Sequence, residues 1–366
     1  MTEPDPLARF STDLVRRLAA RDQVPEGQPT TTSPWLAMSL LQKAVRRGRS
    51  DLALRAAATL LRDAPDRLWR RLGVIAFEDV GLGSLPTLGL TVAALRGKRF
   101  RLAVGGDWPV ASLIVTELCA ARKSRSADEL LMVIETLPHL AQQRRDFAAM
   151  TNARLRLLAL TTTDLHHRAL ALTYVLGTDK PGHPLPSHRG EQALAVDLLD
   201  ELGVAPTTLA ICREGVKKTG EALPLLVALL ALENGLRAYP SDDLLPPEVL
   251  IGDLPTWALD VFTREGKTAL TRLLATNSGV ASMAAALVPK SERVRFLGRL
   301  LFRVDGSLLV NRVGGDLSDR LHAQQTFETL GDEPLVWAIA GLGAIPVAWA
   351  MWRLNIFLTT RGPALP

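Results

Sequence analysis

Apolar residues recur along this chain at spacings of three and four, which is the period of an amphipathic helix. Leu7, Phe10 and Leu14 form one such stripe near the start of the sequence, and the same spacing returns repeatedly from residue 35 onward. Runs in which apolar and polar positions alternate, as they do in strands, are short and few. The pattern therefore predicts an all-α protein.

Two stretches without this periodicity divide the helices into groups. Residues 25–34 read PEGQPTTTSP, and residues 177–190 concentrate proline, glycine and charge, as connectors between packed elements do. A chain of 366 residues is long enough for two domains. We therefore expect an N-terminal amphipathic helix and linker in residues 1–34, a helical domain in 35–178 and a second helical domain in 190–366.

The charge of the chain is distributed unevenly. Its net value is +5, yet residues 1–125 carry 20 Lys and Arg against 12 Asp and Glu, whereas the remainder carries 23 against 26. A basic region beside a mildly acidic one indicates an anionic partner for the basic part. An apolar fraction of 47% with few aromatic residues fits a globular helical protein.

Ten cations near helix ends and turns of this basic region are the predicted DNA contacts. Several cations at one corner can neutralise neighbouring phosphates, which gives salt-dependent binding without sequence preference. Phe100 lies beside the second cluster and is a candidate for stacking a base, while Trp108 is expected in the core. The three clusters are Lys43, Arg46, Arg47 and Arg49; Arg96, Lys98, Arg99 and Arg101; and Lys123 and Arg125.

Two motifs between residues 35 and 137 resemble the C-terminal helical domain of the replication-associated recombination protein A family, clamp-loader-like AAA+ ATPases of stalled replication forks. One is the turn LCAARKSRSA at residues 118–127, in which Arg122 and Arg125 replace the proline and asparagine of that family. The other ends in EDVGL at residues 78–82. The residues of this structural motif are Arg70, Arg71, Glu78, Asp79 and Gly81.

The resemblance implies a clamp-loader-collar-like helical bundle that self-associates, usually as a tetramer, beside an ATPase or other replication proteins. The chain itself lacks a phosphate-binding loop. Gly266-Lys267-Thr268 is its one Gly-Lys-Thr sequence, but Val261 stands where the first glycine of such a loop would fall, and the residues before it read as a helix. We therefore expect no ATPase activity and no cofactor.

Other residues with chemical potential are interpreted as structural. Glu78 and Asp79 are adjacent, so they point to different faces of a helix and do not form an acid–base pair. Four histidines lie far from any cysteine, and a zinc site needs three or four converging ligands. We expect no metal site, no catalytic residue and two buried free thiols. The residues concerned are His166, His167, His183 and His188, with Cys119 and Cys212.

The sequence thus favours a non-enzymatic DNA replication or repair accessory that self-associates. Two alternatives stay open: an adaptor subunit of a larger mobile-element or defence complex without DNA contact, and a factor tethered to a membrane by residues 334–352. That segment runs 19 residues without charge, but two glycines and Pro346 interrupt it, so we expect no membrane partner. The polar opening MTEPDPLARF has no apolar leader, which favours the cytoplasm.

Overall fold

The structure is a computed structural model, and residues 6–233 and 239–330 are described here. The described part contains eighteen α-helices, α1 to α18, and four strands of two residues each. The all-α fold predicted from the periodicity is therefore confirmed. The helices vary in length from the six residues of α6 to the fifteen of α18.

The chain forms two compact units that are discontinuous in sequence. The described residues of the first unit are 6–25, 69–233, 239–241 and 311–328, and those of the second are 26–68, 242–310 and 329–330. These bounds differ from the predicted domains, since residues 35–68 group with residues 242–310. The difference arises because Lys43 and Arg47 pair with aspartates that lie 217 and 258 positions later in the chain.

Most helices belong to the first unit. Their bounds are α1 (Ala8–Ala19), α5 (Leu85–Ala94), α6 (Lys98–Ala103), α7 (Asp107–Ala120), α8 (Ser126–Thr136), α9 (Ala141–Ala148), α10 (Asn152–Thr161), α11 (Leu165–Leu176), α12 (Gln192–Glu201), α13 (Pro206–Thr219) and α14 (Leu223–Leu232). Helices α4 (Pro65–Ile75) and α18 (Asp316–Leu330) begin in one unit and end in the other.

Helix α14 is the centre of the first unit. Its sequence LPLLVALLAL has no polar face, so a stable position for it must be apolar on every side. The structure surrounds it with α8, α11, α12 and α13, and residues 223–230 are all buried. At the edge of this unit, α1 buries Phe10 against α5, where a Cβ atom on Gly89 would lie 2.4 Å from the phenyl ring.

The second unit is built on a tight helix pair. Helices α2 (Pro34–Arg46) and α3 (Ser50–Asp63) pack along each other, and the Ser33 hydroxyl caps α2 by accepting from the Leu36 amide. A separate apolar cluster joins α15 (Arg264–Thr276), α16 (Ser278–Leu287) and α17 (Arg293–Leu301) through Leu270, Leu273 and Leu297.

The four short strands form two antiparallel pairs, each of which connects two loops. In the first unit β1 (Tyr239–Pro240) pairs antiparallel with β4 (Val313–Gly314), and in the second β2 (Leu250–Ile251) pairs antiparallel with β3 (Leu254–Pro255). Within the described residues, no helix is both long and apolar enough to cross a membrane. The proposed membrane segment 334–352 lies outside those residues.

Candidate nucleic-acid interface

The first predicted cluster faces the interior of the second unit. Lys43 is 3% exposed, and its Nζ lies 2.5 Å from Oδ2 of Asp260. Arg46 is 2% exposed and donates to the carbonyl oxygen of Gly306 over 2.7 Å. The prediction that these two side chains lie on the surface is wrong, because both cations complete the packing of loops that are distant in sequence.

Arg47 is buried in the same way. Its guanidinium lies 5.0 Å from the centre of the Trp257 ring and donates to the Asp305 carboxylate, so the predicted surface position is again wrong. Burial lowers the pKa of Arg47, although Asp305 opposes that effect. Arg49 is half-exposed and bridges Asp51 and Glu248, which raise the pKa of its guanidinium. Its charge is therefore largely compensated within the protein.

The third cluster lies inside the first unit. Lys123 is fully buried, and its Nζ donates to the carbonyl oxygens of Cys119 and Ala121, each over 2.9 Å. The Arg125 side chain is 8% exposed and pairs with the Asp128 carboxylate. These positions correct the prediction that Lys123 and Arg125 are surface phosphate contacts. A lysine without access to solvent cannot reach a DNA backbone.

The two motifs that carry the family resemblance pack against each other around Arg125. The Arg125 guanidinium lies 3.6 Å from the Glu78 carboxylate and 3.8 Å from that of Asp79, which is fully buried. These carboxylates and that of Asp128 raise the pKa of Arg125 against the opposing effect of burial. Glu78 and Asp79 thus act as structural ion-pair partners of the turn that begins α8.

Backbone contacts join the same two motifs. The Ser124 amide donates to the carbonyl oxygens of Asp79 and Val80, both over 3.1 Å. Gly81 has φ +45° and ψ −132°, and a Cβ atom there would lie 2.6 Å from the Ser124 carbonyl oxygen. Glycine adopts this backbone conformation much more readily than other residues do. The short distance to the Ser124 carbonyl oxygen also leaves no room for a side chain at this position. Arg70, by contrast, is exposed and lies 3.6 Å from Glu221, while Arg71 is half-buried.

The second predicted cluster does reach solvent. Arg96 before α6 and Lys98 and Arg99 in its first turn are exposed, and we call these three residues the basic corner. Lys98 and Arg99 form no ion pair or side-chain hydrogen bond within the described residues. Arg96 lies 5.2 Å from the centre of the half-buried Phe100 ring and donates to the hydroxyl of Ser11.

Arg101 anchors the short helix α6, which carries Lys98 and Arg99, to the first unit. It is 7% exposed, its guanidinium lies 3.9 Å from the centre of the Trp69 ring, and its Nε donates to Asp107 over 2.5 Å. The prediction of Arg101 as a DNA contact is therefore wrong. Gly97 precedes this short helix with φ +138°, a conformation that glycine adopts readily and that starts the six-residue turn. Trp108 donates from Nε1 to the Pro25 carbonyl, as part of the packing.

An exposed aromatic–cation pair was missed by the sequence analysis. Trp35 is 60% exposed at the start of α2, and the Arg67 guanidinium lies 4.9 Å from the centre of its ring. A Ser-Pro-Trp sequence at a helix start was the available signal, because the first turn of a capped helix often projects from the core. Both residues belong to the second unit.

One carboxyl of the first unit has a strongly altered affinity for protons. Glu135 is half-buried on α8, and burial, together with the nearby carboxylates of Asp128 and Glu221, raises its pKa from 4.5 to about 7. No hydrogen-bond donor or cation compensates it among the described residues. Ionisation of Glu135 therefore opposes folding.

The remaining candidates are built into the packing. His188 contacts the Ala148 carbonyl at 3.0 Å and the Asn152 side-chain oxygen at 2.8 Å. Burial lowers the pKa of His166 and His183. In the part of the chain that the structure describes, no three His, Cys, Asp or Glu side chains converge as metal ligands. Cys119 and Cys212 are buried thiols that form no disulfide within the described residues, as predicted.

The Gly-Lys-Thr sequence lies at the start of α15 after a loop, not after the helix that the sequence predicted. The Gly266 amide donates to the Thr263 hydroxyl, which caps the helix over 3.0 Å. A Cβ atom on Gly266 would lie 1.9 Å from the Asp260 carbonyl oxygen. The glycine therefore serves a close backbone packing, and its amide is already occupied.

Comparison with known proteins gives no match: no family model, no curated protein and no solved structure is similar to this chain at a significant level.

Proposed function

We propose that this protein is a non-enzymatic accessory of DNA replication or repair that binds DNA phosphates through the basic corner Arg96, Lys98 and Arg99. The observation that carries the proposal is the exposure of Lys98 and Arg99 without carboxylate partners on a helix whose base is fixed by Arg101. Because Arg101 holds this helix against the first unit, the backbone that carries Lys98 and Arg99 does not have to be ordered on binding, and neither cation gives up a carboxylate partner to reach a phosphate.

The strength of such a contact follows from counterion release. Three neutralised phosphates give a slope of about −2.7 in log K against log salt on duplex DNA, which is roughly a 40-fold loss of affinity between 50 and 200 mM salt. Three phosphate contacts alone give weak binding at physiological salt. A protein that binds DNA in this way needs self-association or a partner to raise its concentration on DNA. The resemblance to the recombination-associated ATPases supports the same role, with an ATPase or fork protein as the partner.

A salt-titrated binding experiment tests the proposal. Lys98→Glu/Arg99→Glu should weaken DNA binding at least ~10-fold at low salt and reduce the salt slope by about 1.8. Arg154→Glu/Arg213→Glu is the matched control, since it makes the same charge change at two exposed arginines of the first unit. Equal losses in both variants, or no binding by the wild-type protein, would refute the basic corner as the contact. Native mass measurement tests self-association.

A second candidate is an adaptor that contacts only proteins. The observation in its favour is that six of the ten predicted DNA contacts are buried within the fold. These six are Lys43, Arg46, Arg47, Arg101, Lys123 and Arg125. Undetectable binding to single- and double-stranded DNA at low salt, combined with co-purifying proteins, would favour the adaptor.

A further inference from the structure

Trp35 is in an unusual position for its residue type. Tryptophan is normally buried over most of its surface, as Trp69 and Trp257 are at 7% and 3% exposure. Trp35 is 60% exposed instead, on a helix whose start is capped by Ser33. Its ring contributes little to the core that α2 and α3 form. A large exposed indole on a rigid helix is available to a partner.

Arg67 distinguishes this pair from an apolar contact patch. The other exposed or half-exposed arginines of residues 26–68 are compensated by carboxylates: Arg49 by Glu248, Arg55 by Asp253 and Arg62 by Asp63. Arg67 forms no ion pair among the described residues, and its guanidinium rests 4.9 Å from the centre of the Trp35 ring. The pair therefore combines an exposed indole with a positive charge that lies over one face of the ring and that no carboxylate compensates within the described residues.

The backbone beneath the pair is held firmly. The connector before α2 is tied to α3 by Thr30, which is 3% exposed and whose amide donates to the Thr59 hydroxyl over 2.9 Å. The Leu36 amide donates to the Ser33 hydroxyl, so the turn that carries Trp35 is fixed at its first residues. A ring on a fixed turn can stack on a ligand without a large loss of conformational entropy.

We infer that Trp35 and Arg67 form a stacking platform for an unpaired nucleobase, with Arg67 next to the phosphate of the same nucleotide. This inference rests on the proposed DNA-binding function and deepens it, because it names single-stranded DNA as the ligand class. Aromatic rings stack on bases of any sequence once those bases are released from a duplex, and an adjacent arginine adds a cation–π contribution. A duplex keeps its base faces covered and offers this platform only its ends.

The test compares oligodeoxythymidine with an abasic oligomer of equal length, which keeps the phosphates and removes the bases. Trp35→Ala should weaken binding of oligodeoxythymidine about 5- to 150-fold and leave binding of the abasic oligomer unchanged. Trp35→Phe should restore most of the affinity, since it keeps an aromatic face. Phe262→Ala is the matched control, because Phe262 is an aromatic residue of the same unit that is 71% exposed.

Each alternative outcome is decisive. The platform is refuted, while DNA binding stands, if the wild-type protein binds the two oligomers equally, if Trp35→Ala weakens both or neither, or if Phe262→Ala causes the same loss. Absence of binding to either oligomer by the wild-type protein refutes the proposed function and the platform together. Thermal unfolding of each variant, followed by circular dichroism, verifies that the substitutions leave the fold intact.

Discussion

Replacing Lys43 by methionine tests whether its charge stabilises the fold or contacts DNA. Methionine keeps the unbranched apolar stem that lies along α2 and removes the ammonium group. The ammonium of Lys43 lies 2.5 Å from the Asp260 carboxylate and donates to the Ser39 hydroxyl. The substitution therefore leaves a buried carboxylate without its countercharge, and the cost should appear in the stability of the second unit.

The magnitude follows from the surroundings of Asp260. Removing one partner of a buried ion pair costs about 3–5 kcal/mol, since the remaining charge is left in a medium of low dielectric constant. Oδ1 of Asp260 keeps its bonds from the amides of Phe262 at 2.9 Å and Thr263 at 3.2 Å. These two donors continue to stabilise the carboxylate, so we expect the lower end of the range, about 3 kcal/mol.

Denaturant unfolding followed by circular dichroism measures that cost. Lys98→Met is the control: it removes the same charge from an exposed position and should change the free energy of unfolding by less than ~0.5 kcal/mol. In DNA binding the order should reverse, with Lys98→Met weakened and folded Lys43→Met unchanged. A Lys43→Met protein as stable as wild type but weaker in DNA binding would show that Lys43 faces solvent and contacts phosphate.

Two further predictions concern the first unit. The raised pKa of Glu135 means that the folded state binds more protons than the unfolded state between pH 4.5 and about 7, so stability should fall as the pH rises through that range. Glu135→Gln should abolish this dependence and add about 1–2 kcal/mol at pH 8, an effect discounted for partial exposure; equal pH profiles of variant and wild type would contradict the assignment. Gly81→Ala should cost about 2–4 kcal/mol because it adds backbone strain to a collision with the Ser124 carbonyl oxygen. Gly203→Ala, at φ +84° with open space around it, should show the strain alone, and equal losses in the two alanine variants would argue against close packing of the motifs.

The helical fold could be predicted because its determinants are local. The apolar stripe of α2, its Ser33 cap and the uniformly apolar α14 all follow from spacing and residue type. The site could not be predicted in the same way, because exposure depends on partners that are remote in sequence. Lys43 and Lys98 each lie near a helix end beside arginines, yet Lys43 meets an aspartate 217 residues later and is buried, whereas Lys98 is exposed.

Cations of the same sequence cluster are therefore buried or exposed according to the residues that pack against them in the fold. Arg101 shows this within one short helix: it turns inward to Trp69 and Asp107, whereas Arg99, two positions earlier, turns outward. A six-residue helix between glycines has too few turns for periodicity to assign its faces. Trp35 shows the complementary case, since tryptophan is usually buried, and its place in the first turn of a capped helix was the one sequence signal for its exposure.

The interleaving of the two units has a consequence for the order in which the chain is synthesised. A ribosome completes residues 26–68 early, but the segment 242–310 that joins them in one unit emerges only after most of the first unit has been made. During that interval Lys43, Arg46 and Arg47 have none of the contacts with residues 260–306 that bury them in the folded protein. The nascent chain thus carries a temporary basic segment, and the second unit cannot be completed before residues 242–310 have emerged.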